Sequence, residues 1–275
     1  MEWRRGEDEP LAFDAPLPTA LEFTTQVDEE YRRLIGSALA DRKNGLGGQL
    51  FYAGDLDEEA RALVAAANIA GAATLVVTAD RDAQKQAIRE GIADFLVNSL
   101  DEALRILKNE LRKREAVAVC VGLAAAAVES EMTERGVLPD FRRADLRSAG
   151  APHALLADTG EQAEADQQTP VLVTWSVARA PAQWLPKLDA IALDCLDEDA
   201  WQARRWLRLA PRFLGRLAHG MRLITVDRDF ASRFIEGVRR RVDSGEIAIG
   251  VEIRSRFWGM DHVHRFAPRG AESKG

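Results

Sequence analysis

Residues 49–78, QLFYAGDLDEEARALVAAANIAGAATLVVT, read as a strand, a tight turn, a helix and a second strand. The apolar run 50–53 predicts a buried strand, the apolar spacing over 57–70 predicts a helix, and the run 73–78 predicts another buried strand. In a nucleotide-binding α/β unit this turn carries several glycines, so that bare backbone N–H groups at the helix start can approach a diphosphate. Here the turn is Gly54-Asp55-Leu56-Asp57-Glu58-Glu59. Four carboxylates stand where an anionic ligand needs none, and like charges at close range in a partly desolvated crevice cost on the order of several kcal/mol. The pattern keeps the fold signal of a dinucleotide site and loses its usual ligand signal.

The same alternation continues outward. Strand-like runs at 94–97 and 116–121 interleave with helical patterns at 82–90, 100–114 and 124–135, which predicts an α/β protein with an open, mainly parallel Rossmann-like sheet and flanking helices. Residues 1–26, rich in proline and acidic groups, read as an N-terminal arm, and a helix is expected over 27–40. The polar segment 158–170 reads as a linker or exposed loop between a Rossmann-like domain, 27–157, and a second α/β block, 171–258. In that block strands are expected at 171–175, 221–226 and 247–253 and helices at 197–217 and 230–242, followed by a C-terminal tail, 259–275.

Composition bounds the function classes. A chain of 275 residues with 47% hydrophobic content can bury a substantial core, and its net charge of −7 argues against a general nucleic-acid or acidic-membrane surface. Arg142-Arg143 and Arg239-Arg240-Arg241 are local basic spots, read as solvated faces. No apolar stretch reaches membrane-spanning length and the N-terminus MEWRRGEDEP lacks a signal-peptide core, so a cytoplasmic protein is expected. Cys120 and Cys195, each in an apolar run, suit reduced thiols; nothing near Cys120 would lower its pKa, and the carboxylates flanking Cys195 would raise it.

Three further runs carry a resemblance. AANIAGAATL at 66–75, SLDEALRIL at 99–107 and ERGVLPD at 134–140 resemble the dinucleotide-binding domain of the urocanase (urocanate hydratase) family, in order and at nearly the same spacing. Beyond the linker, Trp175, DEDAWQARRW at 197–206, 221–226 and Ser244-Gly245-Glu246 resemble that family's later core segment. The chain reads as a shortened, divergent member, matched over 27–157 and 171–253. The resemblance implies a tightly bound NAD that attacks the imidazole of urocanate as an electrophile and activates it for addition of water. It also implies where that machinery should lie. The family's A-G-L-G-G-M-G-G turn falls on Gly54 to Arg61, where its glycines are Asp55, Asp57, Glu58, Ala60 and Arg61. The acidic residue that would hold the adenosine ribose falls on Thr78, and the Asn-Ala pair after the fourth strand on Ala124 and Ala125. The Q-T-S-A-H run falls near Asp145 to Ala149, its histidine lost or displaced to His153. The cysteine of C-R-G-V-G-P-F-R-W falls near Gln167, leaving only Trp175, and the core segment's G-L-G turn becomes Asp227-Arg228-Asp229. The expectation is a urocanase-like protein without NAD or hydratase activity that acts in binding or assembly. The alternative is an enzyme, either a residual urocanate hydratase or a chain using metal-assisted chemistry.

Ligands of open parallel sheets sit at the carboxyl ends of the strands. Carboxylates recur there: Asp55 and Asp57, Asp80 and Asp82, Asp227 and Asp229. Converging, they could hold Mg²⁺ or Ca²⁺, a small cationic ligand or a basic partner segment; helix capping explains Asp57, Asp82 and Asp229 without a ligand and is the stronger reading. Asp261, His262 and His264 form a weaker H-x-H candidate, better read as an exposed strand, and His153 and His219 are lone histidines in loops. Trp184, Trp201 and Trp206 are spaced for core or interface packing, and Phe257 and Trp258 could anchor a dimer; a homo-oligomer or a protein partner is expected.

Overall fold

The structure, a computed structural model, describes residues 18–37, 39–148, 170–215, 217–218, 220–257 and 260–268. They form two compact units, one of residues 18–148 and 196–218, the other of 170–195 and 220–268.

The first unit is built on strands β1 (Leu50–Asp55), β2 (Ala73–Val77), β3 (Phe95–Val97), β4 (Val117–Val121) and β5 (Phe141–Arg142), all parallel, in the order β3-β4-β2-β1-β5. Every residue of β2 and β4 is buried, as expected for parallel strands covered on both faces. Helices α1 (Pro18–Ile35) and α2 (Glu58–Ala70) cover one face; α4 (Leu100–Lys113) and α5 (Ala125–Glu134) cover the other, and α3 (Arg81–Glu90) packs beside the edge strand β3. From Ala60 to Ala70 α2 buries ten residues, six of them alanine, so α1 can approach it closely. On the opposite face Leu75, Val97, Val119, Val121, Leu100, Leu107, Val128 and Met132 form the core, each large apolar side chain contributing about 1.5–3 kcal/mol of burial. The helix α6 (Arg143–Ser148) follows β5 directly.

The other unit contains β6 (Val171–Val177), α7 (Pro181–Cys195), β7 (Met221–Val226), α9 (Arg228–Asp243), β8 (Val251–Phe257) and β9 (Met260–Phe266), while α8 (Trp201–Leu214) belongs to the first unit. Its sheet runs β7-β6-β8-β9 and every pairing is antiparallel, unlike the parallel sheet expected from the alternation of elements. A two-residue connection between β8 and β9 permits only a hairpin. Trp175 on β6 lies 1% exposed against Phe234 of α9, with ring centroids 4.9 Å apart.

Other differences from the sequence reading have local causes. The first helix begins at Pro18 rather than residue 27 and ends at Ile35, so 18–26 are not part of an arm. Proline is favoured at a first helical position, and the hydroxyls of Thr24 and Thr25 donate back to Ala20 O and Leu21 O, which lets these β-branched residues sit inside the helix. Helix α7 had no counterpart in the sequence reading because Pro186 interrupts it. The final strand of the second block lies at Val251–Phe257 rather than 247–253, and the expected tail contributes β9. The expected linker, apart from Pro170, lies outside the described residues, as do His153, Gln167, His219 and Trp258.

Candidate functional site

At the carboxyl end of the parallel sheet, β1 sends its crossover α2 to one face and β4 sends α5 to the other before the chain enters β5. The ends of β1 and β5 therefore flank the crevice where such sheets bind ligands. It measures about 430 Å³ and is lined by Tyr52, Gly54, Asp57, Glu129, Arg142 and Arg143 among others. Gly54 has φ +76° and sits where the β1–β2 register shifts, a bulge that a side chain would strain.

The start of α2 is closed by the protein itself. Leu56 N–H donates to Val77 O and Asp57 N–H to Asp55 O. The Asp57 carboxylate accepts from Ala60 N–H at 2.8 Å, and Arg61 N–H donates to Asp57 O. The amides of Leu56, Asp57, Ala60 and Arg61 are thus all bonded within the protein. Arg143 then clamps the turn, donating to Asp57 Oδ2 at 2.9 Å and to Glu59 Oε2 at 2.5 Å. Burial would lower its pKa, but the hydrogen bonds to Glu59 and Asp57 raise it above the usual arginine value.

Arg143 corrects two expectations. Its side chain is 15% exposed and ion-paired, so it is not part of a solvated basic spot, and the crevice is not uniformly acidic. It is placed by a short chain of contacts. Phe141 pairs with Phe51 and stacks on it at 4.8 Å, while Arg142 N–H donates to Asp145 Oδ2 at 2.7 Å. Arg142 is exposed and makes no ion pair among the described residues. On the same side of the sheet Tyr52 donates its hydroxyl to Glu129 Oε1 at 3.1 Å, and its pKa is raised by burial and by Glu129.

The strand-end carboxylates do different jobs. Asp80 caps α3, accepting from Asp82 N–H and Ala83 N–H; Asp227 caps α9 of the other unit, accepting from Phe230 N–H at 2.7 Å. Asp82 pairs with Lys85, Asp229 is exposed in the first turn of α9, and Asp55 and Glu58 are exposed. Arg61 pairs with Glu90 on α3. Among the described residues no group of three His, Cys, Asp or Glu side chains could hold a metal ion. His262 is exposed and His264 half-buried on β9, where both line a groove with Arg228 and Glu236 of α9.

These residues do not fit the NAD that the resemblance implies. A diphosphate at the start of α2 meets a carboxylate already bonded to the amide it would need. Thr78, in the place of the ribose-binding acid, is 5% exposed and spent on the turn: its carbonyl accepts from Gln84 Nε2 and its hydroxyl from Asp80 N–H. Ala124 starts α5 with no side-chain cap.

Two predictions arise here. Arg143→Ala is expected to destabilise the protein by about 1–2 kcal/mol, less than a fully buried pair would because Asp57 and Glu59 are part-exposed; urea denaturation checks this, with Arg143→Lys recovering part of the loss. Burial and then the nearby Asp55 push the Cys120 thiol up to about 11. Native protein treated with a maleimide near neutral pH should therefore be alkylated at half-buried Cys195 and spared at Cys120 until it is unfolded, as read by peptide mass spectrometry.

Among the described residues no helix is long and apolar enough to cross a membrane. The family model for the urocanase Rossmann-like domain matches residues 30–167, which contain all five parallel strands and the crevice between β1 and β5. With half of its length matched by that model, the chain belongs to the urocanase family.

Proposed function

We propose that this chain is a urocanase-family Rossmann scaffold that carries neither NAD nor urocanate hydratase activity and works as a binding or assembly protein. The observation that carries this reading is the closure of α2: Asp57 caps the helix, and Arg143 bridges Asp57 to Glu59. A carboxylate at a helix start takes the place of an anionic ligand in both geometry and charge. The crevice beside it has the volume of a small-molecule site. The Arg142 guanidinium and the Tyr52–Glu129 pair supply polar contacts of both signs, which favours a small polar ligand over a dinucleotide.

Incubating the purified protein with urocanate and following its ultraviolet absorbance tests the reading. Unchanged absorbance, with no thermal stabilisation by urocanate, is expected. Turnover by the isolated chain would contradict it and support a residual hydratase.

A further inference from the structure

Strand β9 is hydrogen-bonded on one side only among the described residues, its other edge being the end of the antiparallel sheet. Its sequence MDHVHRF has no lysine, no proline and no bulge against β8, three devices that often protect a free edge, and its two charges, Asp261 and Arg265, are of opposite sign. Met260 is 58% and Val263 43% exposed. In an antiparallel pair, residues whose N–H and C=O point outward must face residues of the same kind. For a strand pairing with its own copy, this restricts the two-fold axis to positions through a residue.

Placing the axis at Val263 aligns all seven residues. Asp261 faces Arg265 of the second copy, His262 faces His264, Met260 faces Phe266, and Val263 faces itself. Axes at Asp261 or Arg265 oppose like charges, and those at His262 or His264 leave both Asp261 and Arg265 without an opposite charge. The neighbouring strand extends the match, because Glu252 on β8 pairs with Arg265 and Arg256 with Asp261. Across four strands one row then reads Glu252, Arg265, Asp261, Arg256, with signs alternating at every step. Directly opposed charges of opposite sign stabilise antiparallel pairs, and a closed two-fold pairing removes the free edge.

From this self-complementarity we infer that β9 pairs antiparallel with the β9 of a second copy of this chain, across a two-fold axis at Val263, to give one eight-stranded sheet. The pairing does not depend on what the crevice of the parallel sheet binds.

The test uses the full chain at pH 8. Sedimentation equilibrium should show a dimer for the natural sequence. Val263→Lys sets two ammonium groups opposite each other at the axis and should weaken the dimer about tenfold or more, with unchanged circular dichroism. A second measurement does not depend on how that variant folds. In a Cys195→Ser background, a short bis-maleimide should link Val263→Cys chains to each other. Met260→Cys chains should not be linked, since the two sites lie six residues apart along antiparallel strands, about 20 Å. A monomeric natural chain, a dimer indifferent to Val263→Lys, or linking of Met260→Cys as readily as Val263→Cys would each overturn the inference.

Discussion

Trp175→Ala is expected to lower the stability of the antiparallel unit by about 4 kcal/mol, near the upper range for removing a buried aromatic side chain. Trp175 is 1% exposed on a central strand, and its ring tilts against Phe234, which stacks in turn on Phe230. Its indole N–H donates to Asp189 Oδ1 at 3.2 Å, and Asp189 Oδ2 accepts from Arg222 Nε at 3.0 Å. Burial raises the Asp189 carboxyl above the usual range even though Arg222 opposes the shift, so that carboxylate can ill spare a donor. Truncation leaves a cavity and an under-bonded carboxylate together, and the volume next to Phe234 cannot collapse without moving α9. Urea denaturation followed by far-ultraviolet circular dichroism measures the loss. Trp175→Phe, which keeps most of the volume but removes the donor, should cost less, about 1–3 kcal/mol.

The second large effect falls in the parallel unit. Gly71 ends α2 at φ +101°, its N–H donating to Ala67 O and Asn68 O. A Cβ there would lie 2.5 Å from a guanidinium nitrogen of Arg205 and 2.9 Å from the carbonyl oxygen of Asn44. Left-handed strain for a residue with a side chain costs about 1–2 kcal/mol. Displacing Arg205 from its 3.0 Å bond to Ile69 O costs about 1.5–3 kcal/mol more. Gly71→Ala is therefore expected to destabilise by about 3 kcal/mol. The two contributions separate in a double-mutant cycle: in an Arg205→Ala background the same change should lose the displacement cost, a coupling of about 1.5–3 kcal/mol.

Legibility from sequence followed the range of the interactions. The strand–turn–helix at 49–78, its capping aspartate and the four parallel strands that follow the apolar runs stand where the sequence pattern put them, and β2 and β4, buried on both faces, are near-continuous apolar runs. The fifth strand has two residues, Phe141 and Arg142, too few for any period to register. Arg143 follows it and meets Asp57 across 86 positions of sequence, so its ion pair left no local trace beyond an Arg-Arg dipeptide after a single apolar residue. Reading the turn's carboxylates without that partner made the crevice look uniformly acidic. Antiparallel pairing in the other unit was hidden for a related reason. Strand–helix alternation implies a parallel sheet only when each helix returns the chain to the same end of the sheet. Here the hairpin joining β8 to β9 breaks that rule, as does the longer excursion through α7 and α8.

The closure of α2 by Asp57 and Arg143 is tested most directly by titrating the purified full-length protein with NAD in a calorimeter, alongside a native mass spectrum of the protein as isolated. The expected result is no binding heat and a mass equal to the polypeptide or a simple multiple of it. Saturable binding at one NAD per chain, or NAD carried through purification, would contradict it.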